Sequence, residues 1–401
     1  MTRYLIDITR FISRIGRGKP TGIDRVEIAY ISELSRRDPD CLAVAKMGKD
    51  FVLVRGQDAG RAIAVLGAGR TLGRDGLKDF YRLKLPKAQR QARQYFRSVA
   101  LGSSQTVGSL FAAYPMDGVE YVNVGHSNLA DDFLSAISNA GCTRLSVMIH
   151  DMIPLDFPEF TKTGISEQFQ ARMQSVSRYA DRVICNSADT EARVKHYFSK
   201  WHSDVETVVA HLGVEEMKAD HQPLLSAPYF VCLGTIEPRK NHAVLFKVWE
   251  KLAAELPSEK MPKLHVIGRR GWNNEDVFEF LDTSPLVGTH IFEYSDLGDN
   301  ELAKEISQCA GLVFPSFAEG YGLPALEAAQ MGVPVICSNL PVFREILGNY
   351  ATFLDASDAD AWAEIVRSVA KMTNKSPEEG GWAPDPCIVP RWESHFCHVF
   401  S

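Results

Sequence analysis

The sequence predicts an α/β protein made of two doubly wound domains in series, each a parallel sheet covered by helices. Three observations predict it. The chain has 401 residues, more than one hydrophobic core ordinarily organises. Short apolar runs alternate with longer amphipathic segments, the pattern of strands feeding crossover helices. That alternation is interrupted once by a polar stretch and then begins again.

In the first half, strands are expected over residues 4–8, 51–54, 62–66, 120–124, 145–149, 182–185 and 205–209. Between them, Ile23, Val26, Tyr30 and Leu34 fall on one helical face, as do Ile165, Phe169, Met173, Val176 and Ala180. The polar run from Glu215 to Pro223 reads as a linker. In the second half, strands are expected over 229–233, 264–268, 312–315, 333–337 and 351–354, with helices over 242–256, 300–309, 323–331 and 358–372. The implied organisation is a first domain over 1–213, a linker over 214–227, a second domain over 228–373 and a tail over 374–401. The tail carries Trp382, Trp392 and Phe396 and is expected to pack back on the first domain. In such sheets ligands bind beyond the carboxyl ends of the strands, so two of them facing each other make one cleft.

Composition narrows the function. The chain is 45% hydrophobic and 23% charged, with a net charge of -6, which argues against nucleic acid as a partner of the whole chain. Eight cysteines (Cys41, Cys142, Cys185, Cys232, Cys309, Cys337, Cys387 and Cys397) are scattered without a CxxC pair, so they read as structural thiols in a reducing compartment. The first residues lack the apolar core of a signal peptide, and no apolar run reaches bilayer-spanning length. A cytoplasmic protein is expected. The segment 69–100 is basic and interleaved with aromatics, including Arg82, Lys84, Lys87 and Arg90. It reads either as a peripheral contact with an anionic membrane at its inner face or as a solvated helix face.

Several constellations carry chemistry. Phe317 to Glu327 follows an expected strand: Gly320 and Gly322 allow a tight turn, and Pro324 suits a first helical turn. The helix N-terminus then offers free N–H groups to phosphate, and Glu319 and Glu327 border the same turn. Arg239 and Lys240 stand just after the first strand of the second half. His150 and Asp151 end an apolar strand, where a cleft residue belongs, although a core histidine fixed by Asp151 has the same signature. His126 ends another strand and reads equally as a ligand to acceptor or sugar and as a packed strand-end residue. Gly22 lies in the turn after the first strand, where bare backbone can approach a ligand.

The run from Glu319 to Glu327 resembles the E-x7-E signature of retaining glycosyltransferase family 4, which has the GT-B fold. The segments 332–338, 344–348, 233–241 and 264–272 are also similar to that family, so the resemblance covers most of 229–370. By this resemblance Arg239 and Lys240 neutralise the leaving diphosphate of a nucleotide-sugar donor. Glu319 holds the transferred sugar, Glu327 the ribose, and the backbone around Gly320, Tyr321, Gly322 and Leu323 the phosphates. Where the family more often has Arg after the glycine of its phosphate turn, this chain has Thr235, with Arg239 in its stead. Gly22 resembles the family's first glycine loop, which usually has paired glycines. His150 resembles its His-Asp strand end, and His126 and Asp151 are placed on the acceptor side.

The resemblance implies a hexosyltransferase that moves a sugar with retention onto a glycan or lipid-linked oligosaccharide of a surface polysaccharide, GDP-mannose being the first donor to test. It implies no cofactor and no metal: Asp358-Ala359-Asp360 is explained by helix capping. Three other readings fit parts of the sequence. A non-catalytic partner in glycan assembly would not need both glutamates with Arg239 and Lys240. A nucleotide-sugar epimerase would yield an epimer without acceptor. A dehydrogenase is suggested by Gly67, Gly69 and Gly73, but their spacing is one residue longer than the dinucleotide fingerprint, and they follow the expected strand 62–66, not the first strand.

Overall fold

The computed structural model describes residues 2–73, 85–215, 228–372 and 387–401. The first sheet holds eight strands: β1 (Arg3–Asp7), β2 (Leu42–Met47), β3 (Asp50–Arg55), β4 (Gly102–Ser104), β5 (Val119–Asn123), β6 (Arg144–Ile149), β7 (Arg182–Cys185) and β8 (Glu206–Val209). Their spatial order is β4-β3-β2-β1-β5-β6-β7-β8. The second sheet holds six: β9 (Tyr229–Leu233), β10 (Lys263–Ile267), β11 (Ile291–Tyr294), β12 (Gly311–Phe314), β13 (Val335–Ser338) and β14 (Thr352–Leu354), ordered β11-β10-β9-β12-β13-β14. The second sheet is wholly parallel. The first is parallel from β2 to β8, but β3 joins β2, and β4 joins β3, antiparallel, so it is mixed at one edge.

The central strand β12 is buried along its whole length, which is why it reads as a continuous apolar run. Each sheet also reverses its winding direction once. In the first, the chain leaves β1 toward β2 on one side and returns to β5 on the other; in the second the same reversal separates β9 from β12. Ligands in open α/β sheets sit in the crevice at such a point.

Residues 62–66 are not a strand. They end the helix Gly56–Gly67, whose Gly56, Ala59 and Ala62 are buried while Ile63 and Leu66 pack beside them. The helical period was hidden because the last turn, read alone, is a short apolar run. Gly67 thus ends a helix and Gly69 and Gly73 follow it, and among the described residues no heavy atom lies within 4 Å of where a Cβ would stand on any of them. β2 escaped the sequence reading: it is alanine-rich and gains its stability from pairing with β1 and β3.

Of the basic segment 69–100, residues 74–84 lie outside the described residues, Arg82 and Lys84 among them. The described part forms the helix Lys87–Ser98, which buries Gln89, Gln91, Ala92 and Phe96. Among the described residues no helix is long and apolar enough to cross a membrane. All eight cysteines are free. Asp358 caps its helix through Ala361 N at 3.0 Å, and Asp360 pairs with Lys251.

The helix Trp392–Val399 packs on the first sheet. Tyr30 Oη lies 2.7 Å from His395 Nε2, and Arg182 Nη1 donates to the Val399 carbonyl at 2.7 Å. Arg182 also meets Glu120 at 2.7 Å in a buried ion pair, with Ser146 Oγ bridging the two.

Candidate active site

Two turns of the second sheet meet at its point of reversal. After β9 the chain turns at Gly234, with φ of 143°, and a Cβ there would stand 3.2 Å from Lys240 Cε. A short 3-10 helix, Pro238–Lys240, ends at Asn241, whose side-chain amide donates to the carbonyls of Pro315 and Ala356. Phe317 N donates to the Arg239 carbonyl at 2.8 Å. The turn after β9 is thereby stitched to the turn after β12. The latter enters the helix Leu323–Gln330 through Gly322, with φ of 108°; a Cβ there would lie 2.5 Å from Phe343 Cε1, so only glycine fits.

Glu319 is the centre of this knot. Its Oε1 accepts from Lys240 Nζ at 2.5 Å and from Ser316 Oγ at 2.7 Å, and its Oε2 lies 3.0 Å from Arg239 Nη1. Arg239 Nε pairs in turn with Glu237 at 2.6 Å. Burial would raise the Glu319 carboxyl, but Lys240 and Arg239 outweigh it and hold it at about 2. Burial pushes the Lys240 ammonium down, and its Nζ sits 4.3 Å from the centre of the Phe314 ring. Arg239 and Lys240 are therefore not bare cations. They are matched by Glu237 and Glu319, and the resting cluster has two charges of each sign.

The first domain closes over this cluster. A Cβ on Gly320 would stand 2.9 Å from the His150 carbonyl and 3.0 Å from Asp151 Oδ2, so the turn of one domain rests on the strand end of the other. Burial raises the Asp151 carboxyl, with Arg239 opposing across the interface. Trp272 Nε1 donates to the Phe160 carbonyl at 3.1 Å, and Phe160 stacks on Phe317 at 5.9 Å. Glu345 accepts from Ala188 N at 2.7 Å and from Asp189 N at 3.2 Å, at the N-terminus of the helix Ala188–Lys200.

Glu327, the second glutamate of the pair, is buried and accepts a short hydrogen bond from Arg25 of the first domain. Burial raises its carboxyl and Arg25 pulls the other way. Arg25 stands in the helix Gly22–Arg37, whose first residue, Gly22, faces Leu323: a Cβ on Gly22 would stand 3.4 Å from Leu323 Cδ1. Tyr321 is buried, its hydroxyl donating to the Leu212 carbonyl at 3.3 Å.

His150 and His126 form a pair with ring centres 4.9 Å apart. They exchange partners across β5 and β6: His150 Nε2 lies 2.7 Å from the Val124 carbonyl, and His126 Nε2 lies 2.9 Å from the Met148 carbonyl. Burial lowers His150 to about 4 and, with the neighbouring His150, lowers His126 to about 3, so both rings are neutral at pH 7.

The structure thus gathers Glu319, Arg239, Lys240, Gly320 and Asp151 into one knot. Glu327, Gly22 and Leu323 adjoin it through the Arg25 contact, while the two histidines brace strand ends beside it. Arg25, Glu237, Ser316 and Glu345 were not anticipated. Arg25 meets a residue 302 positions away, which no local pattern announces. Asp7 ends β1 much as His150 follows β6, with no motif to announce it; it is fully buried and accepts from Asn128 Nδ2 at 2.7 Å and Thr9 N at 2.8 Å.

Four histidines, three buried and His126 half-buried, give the fold an acid limit. His126 and His242 are depressed to about 3, and His150 and His395 to about 4, in each case first by burial. As pH falls through 6.5 the unfolded chain gains four imidazole protons that the folded chain refuses. Burial raises Asp7 to about 6, Glu27 well above its usual range, and Asp151 and Glu327 above theirs, so these four carboxyls act in the opposite sense and offset part of that loss. The folded state is therefore expected to weaken between pH 7 and pH 5, by about 2 kcal/mol per imidazole at pH 5 before that offset. A urea midpoint at pH 5 equal to or above that at pH 7 would contradict the assignment of neutral rings.

Residues 214–379 match the family profile described as Glycosyl transferases group 1. Over 260 residues the chain is 30% identical to the serotype-specific mannosyltransferase WbdA of Escherichia coli, which covers 59% of this chain and 31% of WbdA. It is 27% identical over 234 residues to the O-antigen chain mannosyltransferase RfbU of Salmonella typhimurium, covering 57% of this chain and 61% of RfbU. The chain thus spans 31% of the length of WbdA. Among solved structures, Anabaena HepE in complex with UDP and glucose superposes with a TM-score of 0.56 at 14% identity, covering 94% of this chain and 92% of HepE. That likeness shows the fold: two doubly wound domains in the GT-B arrangement.

Proposed function

We propose, on the premise that residues 214–379 are a glycosyl transferases group 1 domain, that the chain is a hexosyltransferase moving a sugar from a nucleotide donor onto a glycan acceptor of a surface polysaccharide. The observation that carries the reading is the Glu319–Lys240–Arg239 knot at the reversal point of the second sheet, closed over by His150 and Asp151. The donor occupies the second domain and the acceptor the first. One relative is named a serotype-specific mannosyltransferase and another an O-antigen chain mannosyltransferase, which favours GDP-mannose as donor and a lipid-linked oligosaccharide as acceptor.

The knot suits transfer because its parts can exchange partners without leaving a buried charge bare. A donor diphosphate at the N-terminus of the helix Leu323–Gln330 takes Lys240 and Arg239 from Glu319. Glu319, held ionised, then accepts hydroxyls of the sugar. As the bond to the leaving phosphate breaks, charge grows on the phosphate oxygens, where the two cations already stand. That phosphate can take the acceptor proton on the same face of the sugar, which retains the anomeric configuration. Domain closure through Gly320 and Asp151 excludes water and limits donor hydrolysis. Binding of a ribose at Glu327 requires Arg25 to release it, so donor entry and the interdomain contact are coupled. The chemistry needs no metal ion and is placed in the cytoplasm.

A nucleotide panel in a thermal-shift assay, run in excess chelator, tests this. GDP and GDP-mannose are expected to raise Tm, and Lys240→Ala to remove the shift. A shift with uridine compounds alone would keep the transferase and change the donor. Transfer that is lost in chelator and restored by magnesium or manganese would end the metal-free mechanism.

A further inference from the structure

The reversal point of the first sheet holds a cavity of about 610 Å³ whose occupant the reading above leaves open. It lies beyond the carboxyl ends of β1, β2 and β5, where Thr9, Lys46 and Asn128 line it. Its volume falls within the range of small-molecule sites, about 300–1,000 Å³.

The walls are unevenly charged. Arg10, Lys46 and Arg172 line the cavity from three separate elements: the helix Thr9–Arg14, β2 and the helix Ile165–Tyr179. Asp132 is the one carboxylate among the lining residues. Arg10 spends its Nε on Asp24 at 2.8 Å. Lys46 lies 5.2 Å from the centre of the Phe51 ring, and neither it nor Arg172 has an ion-pair partner among the described residues. The polar floor is fixed: Thr9 Oγ1 accepts from Lys46 N at 2.9 Å and from Asn128 Nδ2 at 2.8 Å. His126 in the same wall feels the charge of both Arg10 and Arg172. The helix Asp131–Asn139 begins at this rim, its N-cap Ala130 offering no side-chain cap.

We propose that this cavity binds a phosphate group of the acceptor, held between Arg10, Lys46 and Arg172. Lys46 and Arg172 are exposed to solvent at the cavity, where an arriving anion can reach both. A phosphate accepts hydrogen bonds from several directions at once and suits donors that converge from three elements. The cavity also adjoins the donor side: Ile23 in its wall follows Gly22, which faces Leu323 at the N-terminus of the phosphate-binding helix. An acceptor anchored here by its phosphate lies beside the sugar to be transferred. The inference rests on the first domain being the acceptor side.

The test is calorimetric titration of the full chain with inorganic phosphate and with glucose 6-phosphate at fixed ionic strength. A Lys240→Ala background silences the donor turn. Saturable binding is expected, about tenfold weaker in Lys46→Gln and in Arg172→Gln, the size of one lost charge-assisted hydrogen bond. Lys46→Arg and Arg172→Lys should recover most of it, which separates recognition from misfolding. Tighter binding of glucose 6-phosphate than of phosphate assigns the site to a soluble sugar phosphate. Co-sedimentation with phosphatidylglycerol vesicles that requires the same two residues assigns it to a lipid headgroup. Titrations that do not saturate, or that are the same in the glutamine variants, overturn the proposal. The nucleotide-induced thermal shift, with Lys240 intact, reports the donor reading separately.

Discussion

Lys240→Ala is expected to lower kcat by about 10²-fold or more, the scale on which removal of one preorganised charge acts on a developing anion. The argument rests on placement. Lys240 is almost fully buried, tied to Glu319 at 2.5 Å, and held by a turn stitched to its neighbour through Asn241. Its side chain cannot be replaced by water or by a mobile surface lysine. The loss should appear in kcat with the acceptor KM little changed if, as proposed, the donor diphosphate sits against Lys240. Arg239 remains to hold Glu319 ionised, so the variant should fold. A folded Lys240→Ala protein that transfers within a few fold of wild type would remove Lys240 from the mechanism.

Arg182→Ala should cost about 3–5 kcal/mol of stability, more than any other change considered, because it leaves Glu120 as a buried charge without its partner. Arg182 also holds the Val399 carbonyl, so the same change frees the last helix from the first sheet. On the scale of a domain this size, Tm should fall by about 10 °C or more. Arg182→Met combined with Glu120→Gln should recover part of the loss, since no lone charge remains. A single variant that melts with wild type would show that the pair supports little.

Most of the second domain was legible because its strands are short apolar runs bounded by glycine and proline, and its helices bury regular stripes. The turns after β9 and β12 were legible for a related reason: glycines and charged residues just past an apolar strand announce a strand end. What failed was local or very distant. Residues 62–66 looked like a strand because five residues are too few to show a helical period. β2 looked like nothing because alanine is a poor strand former and its neighbours supply the stability. Arg25 on Glu327 and Glu345 on the Ala188 amide are contacts between domains, and they depend on how two sheets face each other. The ion pairing of Arg239 and Lys240 was hidden likewise. Sequence shows two cations in a turn, but only the fold shows that Glu237 and Glu319 answer them.

The chain enters the second domain near Val214 and has returned by Pro390, and Val214 N donates to the Pro390 carbonyl at 3.0 Å. Beside them, a Cβ on Gly213 would stand 2.4 Å from Trp392 N, so the two passages are pressed together. The halves therefore hang on a double hinge. Such a joint bends about one axis and resists swivelling, because rotation would shear the Val214–Pro390 bond. A closing motion about that joint would return Glu319 to the same place over Asp151, so the joint itself would align whatever the two domains hold.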